Sequence, residues 1–124
     1  MAKEDMKIIE ASEKISRKQL KEGAGKTFGN FVKAVVDIEK EIMAIDAELH
    51  SDEESLLLEN GSKQENLWGI NIYPELEGND FIEFDSMINL RPSHGNKSRG
   101  VDNQATRRKI TAVVAKLLNN DLSA

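Results

Sequence analysis

Cysteine is missing from this chain, and histidine, proline, tryptophan and tyrosine occur only twice, twice, once and once. Without cysteine there is no disulfide, no thiol catalysis and no cysteine-based zinc site. Only His50 and His94 can supply an imidazole to a metal or acid–base site. No apolar run approaches the roughly 20 residues that span a bilayer. The opening MAKEDMKIIEASEK is charged where a secretory signal would be apolar. Internal repeats, low-complexity tracts and Pro/Ser-rich linkers are also lacking. The expectation is one cytoplasmic domain over residues 1–124, with no membrane association and with loose ends at 1–5 and 120–124.

Charge is present in quantity, at 31% of residues with a net of −5, but it is unevenly placed. Residues 1–86 hold 10 Lys/Arg against 20 Asp/Glu, and residues 87–124 hold 7 against 2. A basic C-terminal third either faces an anion or lies against the acidic part of its own fold. The acidic overall balance argues against a dedicated nucleic-acid binder, and few aromatics stand between the cations to stack bases.

Local patterning predicts a mixed set of elements. Met6–Glu10 is a short strand. Ser16 with Gln19 forms a capping box for a helix from Arg17 to Phe28, stopped by Gly29-Asn30. In Phe31–Asp46 the apolar residues alternate in a β-branched run. This predicts two strands joined by a charged turn near Glu39–Glu41, with a single long helix as the alternative. Ser51 and Glu54 suggest a second capping box for a helix over Asp52–Glu59, stopped by Asn60-Gly61. Leu67–Tyr73 and Phe81–Leu90 read as strands of a hairpin through Pro74 and Gly78-Asn79-Asp80. Pro92–Gly100 reads as a polar loop. Asp102 or Asn103 caps a last helix with the stripe Ile110, Val113, Val114, Leu117, Leu118. The order predicts an α+β fold: a mainly antiparallel sheet of four to five strands, two to three helices packed on it, and a long C-terminal helix.

Gly23-Ala24-Gly25-Lys26-Thr27 has the look of a phosphate-binding loop, but the pattern needs a glycine where Leu20 stands and a strand where SRKQLKE stands. It is read as the back half of a short helix. Two other stretches hold more chemistry. In ELHSD, an extended backbone would put Glu48, His50 and Asp52 on one face, a carboxylate–imidazole–carboxylate set suited to a divalent metal or to acid–base work. In NLRPSHGNKSR, Asn89, Arg91, His94, Asn96, Lys97 and Arg99 crowd into a short Gly/Pro-shaped segment. Such a segment can recognise a carboxylate or phosphate, Arg91 bidentately. Arg107 and Arg108, near the start of the last helix, suggest acidic neighbours or an anion. Trp68 beside Gly69 is read as a packing residue, with a pocket rim as the second choice.

The strings ELHSDEESLLLENGSKQENLWG and SMINLRPSHGNKSRG, with VKAVVDIEKEI before them, resemble a family of short archaeal and bacterial proteins of unknown function. The resemblance spans nearly the whole chain. It implies a prokaryotic single-domain α+β protein and implies no activity. Gly23-Ala24-Gly25 departs from the ordinary helix formers at that place.

Two functional expectations follow. One is a non-enzymatic binding module that holds an anionic ligand or an acidic partner through the Arg91–Arg99 loop and needs no cofactor. The other is a small metal-dependent hydrolase or nuclease-like enzyme built on Glu48, His50, Asp52 and His94, with a divalent metal. An edge strand could also pair two copies into a homodimer.

Overall fold

The computed structural model describes residues 6–119. Chain order is β1 (Lys7–Ile9), β2 (Ile15–Ser16), α1 (Arg17–Lys26), β3 (Val32–Asp37), β4 (Ile42–Ile45), α2 (His50–Glu59), β5 (Leu67–Ile72), β6 (Ile82–Glu83), α3 (Gln104–Leu117) and β7 (Leu118–Asn119). Short 3₁₀ turns occupy Gln64–Asn66, Gly78–Asp80, Met87–Asn89 and Pro92–His94. Five strands form one antiparallel sheet in the order β1-β4-β3-β5-β6, and β2 and β7 pair separately in parallel. The fold is α+β, as the patterning predicted. The loose ends expected at 1–5 and 120–124 lie outside the described residues.

Residues 31–46 resolve into two strands. The turn between them is built by Asp37, whose Oδ1 accepts from the backbone N–H of Glu39 and of Lys40, each at 2.9 Å. Glu41 completes the reversal at φ +59°. Asp37 is itself buried, and its Oδ2 accepts from Ser62 Oγ at 2.6 Å, which ties the hairpin to the segment after α2.

The period of two sorts the strands into opposite faces. Val32, Ala34, Val36, Met43, Ile45, Ile70 and Ile72 pack with Leu20 and Ala24 of α1 and with Ile110, Val113, Val114 and Leu117 of α3. Burying those four α3 side chains contributes on the order of 6–12 kcal/mol as an upper bound. Val35, Ala44 and Leu67 meet Leu57 of α2 on the other face. The sheet is therefore covered by two helices on one side and by one helix on the other. Gly23 permits the close approach of α1, because a Cβ there would stand 2.5 Å from Asp46 Oδ1.

Capping follows the sequence at two of three helices. Ser16 and Gln19 form the reciprocal box of α1, and Asn103 Oδ1 accepts from Thr106 N–H at 3.1 Å to start α3. Lys26 ends α1 as an exposed last-turn residue, so Gly23–Lys26 are helical with Thr27 as the C-cap, and no phosphate loop forms. At α2 the expectation needs correction. The helix begins two residues early, at His50, with Leu49 as cap and no side-chain cap hydrogen bond. Ser51 is an exposed residue of the first turn, since burial of His50 and Glu53 against the sheet sets the start. The strand expected over Phe81–Leu90 also shortens to Ile82–Glu83. After β6 the chain turns away through Met87–Asn89.

Candidate functional site

The NLRPSHGNKSR segment is bound mostly to its own fold. Asn89 is fully buried, and its amide behaves as a piece of strand. Oδ1 accepts from Gly69 N–H at 2.8 Å, and Nδ2 donates to Gly69 O at 2.9 Å and Arg99 O at 3.0 Å. β6 pairs only with Asn71 and Ile72, so Asn89 takes over that β5 edge at Gly69. Asn96 is buried too. Its Nδ2 lies 2.8 Å from Asn89 O, 3.0 Å from Ser98 O and 2.8 Å from Gly100 O, while Oδ1 accepts from Asp102 N–H. Asp102 accepts from Ser98 Oγ and Lys97 N–H, and these bonds hold its carboxyl below the ordinary value. Lys97 thus serves this network through its backbone, and its side chain is exposed. Arg99 pairs with Asp85 at 2.9 Å across a half-exposed contact.

Arg91 bridges two segments. Nη1 donates to Gln64 O and Nη2 to Leu67 O, both at 2.7 Å, and the guanidinium stacks 4.4 Å from the centre of the Trp68 ring. Burial lowers its affinity for the proton, and Glu54 partly restores it. Beside this stack opens a hollow of about 220 Å³ lined by Glu65, Trp68, Arg91 and His94. Two buried N–H groups at this stack, Trp68 Nε1 and Arg91 Nε, have no hydrogen-bond partner among the described residues. The structure therefore brings Arg91 and exposed His94 together with Trp68, and turns Asn89 and Asn96 into framework.

The ELHSD stretch has a different fate. His50 sits at the first position of α2, almost buried, with Nε2 2.8 Å from Ile70 O. A carbonyl accepts, so Nε2 carries the proton and donates. Burial pushes the imidazole pKa down to about 4. Gly69 makes room for this ring and for Ser86, since a Cβ at Gly69 would lie 2.5 Å from Ser86 Cβ and 3.2 Å from His50 Cδ2. Glu48 is exposed, and Asp52 lies in the helical first turn. The shared face of Glu48, His50 and Asp52 required an extended backbone, which the start of α2 at His50 removes. Among the described residues no group of three or more His, Asp or Glu side chains is placed to hold a metal ion, with His94 or without it.

Sequence reasoning passed over Glu53. It is fully buried under α2, with Oε2 accepting from Ala47 N–H at 3.0 Å. Burial raises its carboxyl well above the usual range, with Asp46 adding to the effect. A glutamate three residues after a helical His50 faces the same way. That signal was legible only once the helix start was known.

The chain belongs to the DUF5674 family of proteins of unknown function. The match covers residues 7–117, from β1 to the end of α3. No match is found among curated proteins or among solved structures. No helix among the described residues is long and apolar enough to cross a membrane.

Proposed function

We propose that this DUF5674 protein is a binding module whose site is the Trp68–Arg91–His94 hollow, and that it takes an acidic group carried on an apolar or planar body. The carrying observation is the hollow itself, walled by an arginine stacked on the only tryptophan and edged by an exposed imidazole. Such a stack fixes a cation without a partner carboxylate, leaving its charge for a ligand. Two N–H groups without partners in the same stack favour an acceptor. Glu65 in the lining repels a bare, multiply charged anion, which directs the preference toward a mono-acid. Exposed Met87 and Leu90, just before Arg91 in the chain, offer apolar contact to the body of a small ligand or of an acidic partner segment. A prokaryotic origin, implied by the family resemblance, and a cytoplasmic setting, expected from the composition, go with this reading.

Trp68 reports on its own site, so its fluorescence is the assay. Titration with benzoate or acetylated glycine is expected to change Trp68 emission saturably, more weakly at high salt. His94→Ala should weaken binding about three- to tenfold without loss of folding. No saturable change with any mono-acid, or identical titrations in wild type and His94→Ala, sinks the reading.

A further inference from the structure

The α2 side of the sheet is only partly covered. Beyond the first turn of α2, the same face continues through Lys33 on β3, Asn71 opposite it on β5 and Glu83 opposite Asn71 on β6. Alternation puts Phe31 and Tyr73 on this face one step further out, and their ring centroids lie 5.2 Å apart. Phe28 stacks on Phe31 at 4.7 Å and is partly exposed. The result is a shelf, with an aromatic strip at the outer end, a polar row next to it, and the buried Glu53 at the inner end under α2.

The polar row is incompletely satisfied. Asn71 Nδ2 and Tyr73 Oη both donate to Glu83 Oε1, at 2.9 and 3.1 Å. Asn71 Oδ1 and Glu53 Oε1 are both buried and have no hydrogen-bond partner among the described residues. Both belong to side chains more than nine-tenths buried. Two such orphans on one face are unusual, because buried polar atoms are paired in the great majority of cases. Lys33 stands beside Asn71 in the same row, with its Nζ 5.3 Å from the Phe28 ring centre.

We propose that this shelf is a second site, separate from the Trp68 hollow, and that it binds a small polyhydroxylated ligand such as a sugar or cyclitol. The chemistry selects this class in three ways. Asn71 Oδ1 is an acceptor and calls for a donor, while Glu53 Oε1, on a carboxyl that burial shifts toward its protonated form, can give as well as accept a hydrogen bond. Lys33 beside them is a donor, and Tyr73 Oη, its proton given to Glu83, offers an acceptor, so each incoming group must both give and accept a hydrogen bond, as a hydroxyl does. Planar amide and carboxylate groups grip neighbouring hydroxyls in pairs, and the Phe28–Phe31–Tyr73 strip offers a flat apolar surface to a ring's C–H face. Charge points the same way. Lys33 and Glu83 balance, and Asp85 is matched by Arg99, so the shelf attracts neither a strong anion nor a strong cation.

The test is an amide-resolved NMR titration of the full chain with glucose and myo-inositol, alongside inorganic phosphate and methylammonium. The expected result is a saturable shift of the Asn71 side-chain amide and of Ala47 N–H by at least one polyol, with little response to the two ions. Asn71→Leu should weaken binding by about tenfold, the loss of roughly one hydrogen bond. If that variant fails to fold, the exposed Glu83→Gln and the half-buried Tyr73→Phe decide, each with an expected loss of about threefold. No saturable shift from either polyol overturns the proposal. Saturation by phosphate or methylammonium in place of the polyols overturns the ligand class. Unchanged titrations in both Glu83→Gln and Tyr73→Phe overturn the site.

Discussion

Replacing Asn89 by alanine tests the claim that a side-chain amide stands in for a strand. The substitution deletes three hydrogen bonds, to Gly69 N–H, Gly69 O and Arg99 O, at a position with no solvent access. At about 1 kcal/mol net for each, the loss is about 3 kcal/mol. It rises if the Gly69 groups stay buried without partners. For a chain of this length, that is a fall in Tm of about 12 °C. Urea denaturation followed by circular dichroism measures the total, and amide hydrogen exchange measures the local effect. Gly69 N–H should lose protection beyond what the fall in global stability explains. Asn89→Asp sharpens the test. It keeps an acceptor for Gly69 N–H but turns a carboxylate oxygen toward two carbonyls, so its deficit should shrink as pH falls and the carboxyl protonates. A cost under 1 kcal/mol for Asn89→Ala, with Gly69 protection unchanged relative to its neighbours, refutes the reasoning.

Other perturbations separate local causes as cleanly. Gly25→Ala, in open space, should stabilise α1 by about 1 kcal/mol, whereas Gly23→Ala should destabilise because its Cβ meets Asp46 Oδ1 at 2.5 Å; thermal melts of the pair decide. His50 has a depressed folded-state pKa, so its contribution is present above about 6.5 and is lost as pH falls toward 4. The loss is about 3 kcal/mol at most, and it should be absent in His50→Gln when stability is followed by urea titration across that range. Glu53 runs the other way. Its raised pKa makes the fold lose stability as pH rises above the unfolded carboxyl value, so Glu53→Gln should flatten the alkaline side of the stability–pH profile. Gly69→Ala should destabilise by several kcal/mol, through overlap with Ser86, and Ser86→Gly should partly restore the double variant in the same denaturation assay.

The elements with strong periodicity were legible in the residues. The alternation in Val32–Asp37, the stripe Ile110–Leu117 and the box Ser16–Gln19 all came through, because each is decided by contacts within a few residues. What failed depended on distant partners. Ser51 and Glu54 matched a capping pattern, but His50 and Glu53 found better burial against β3, β4 and β5, and the helix start moved to suit them. The strand expected to Leu90 ended at Glu83 because Asn89 needed to fold back on Gly69. In the polar loop, chemical type was visible and role was not. Asn89 and Asn96 look the same in sequence whether they grip a ligand or a backbone. Arg91 looked like an anion receptor and proved to be tied at both Nη atoms and stacked on Trp68, with only Nε left without a partner among the described residues. The Lys33–Asn71–Glu83 row was invisible because its members come from three strands, and only the sheet register lines them up.

The small parallel ribbon of β2 and β7 has a consequence for how this chain is made. It joins Ile15 to Leu118 and Ser16 to Asn119, partners 103 positions apart. Ser16 is also the residue that starts α1. During synthesis, the segment leading into α1 leaves the ribosome 103 residues ahead of its partner and waits for it. Such a long closure is slow to form. The domain is thus locked from its far end, and the front of the chain stays open to capture by chaperones or proteases until residue 119 clears the exit tunnel.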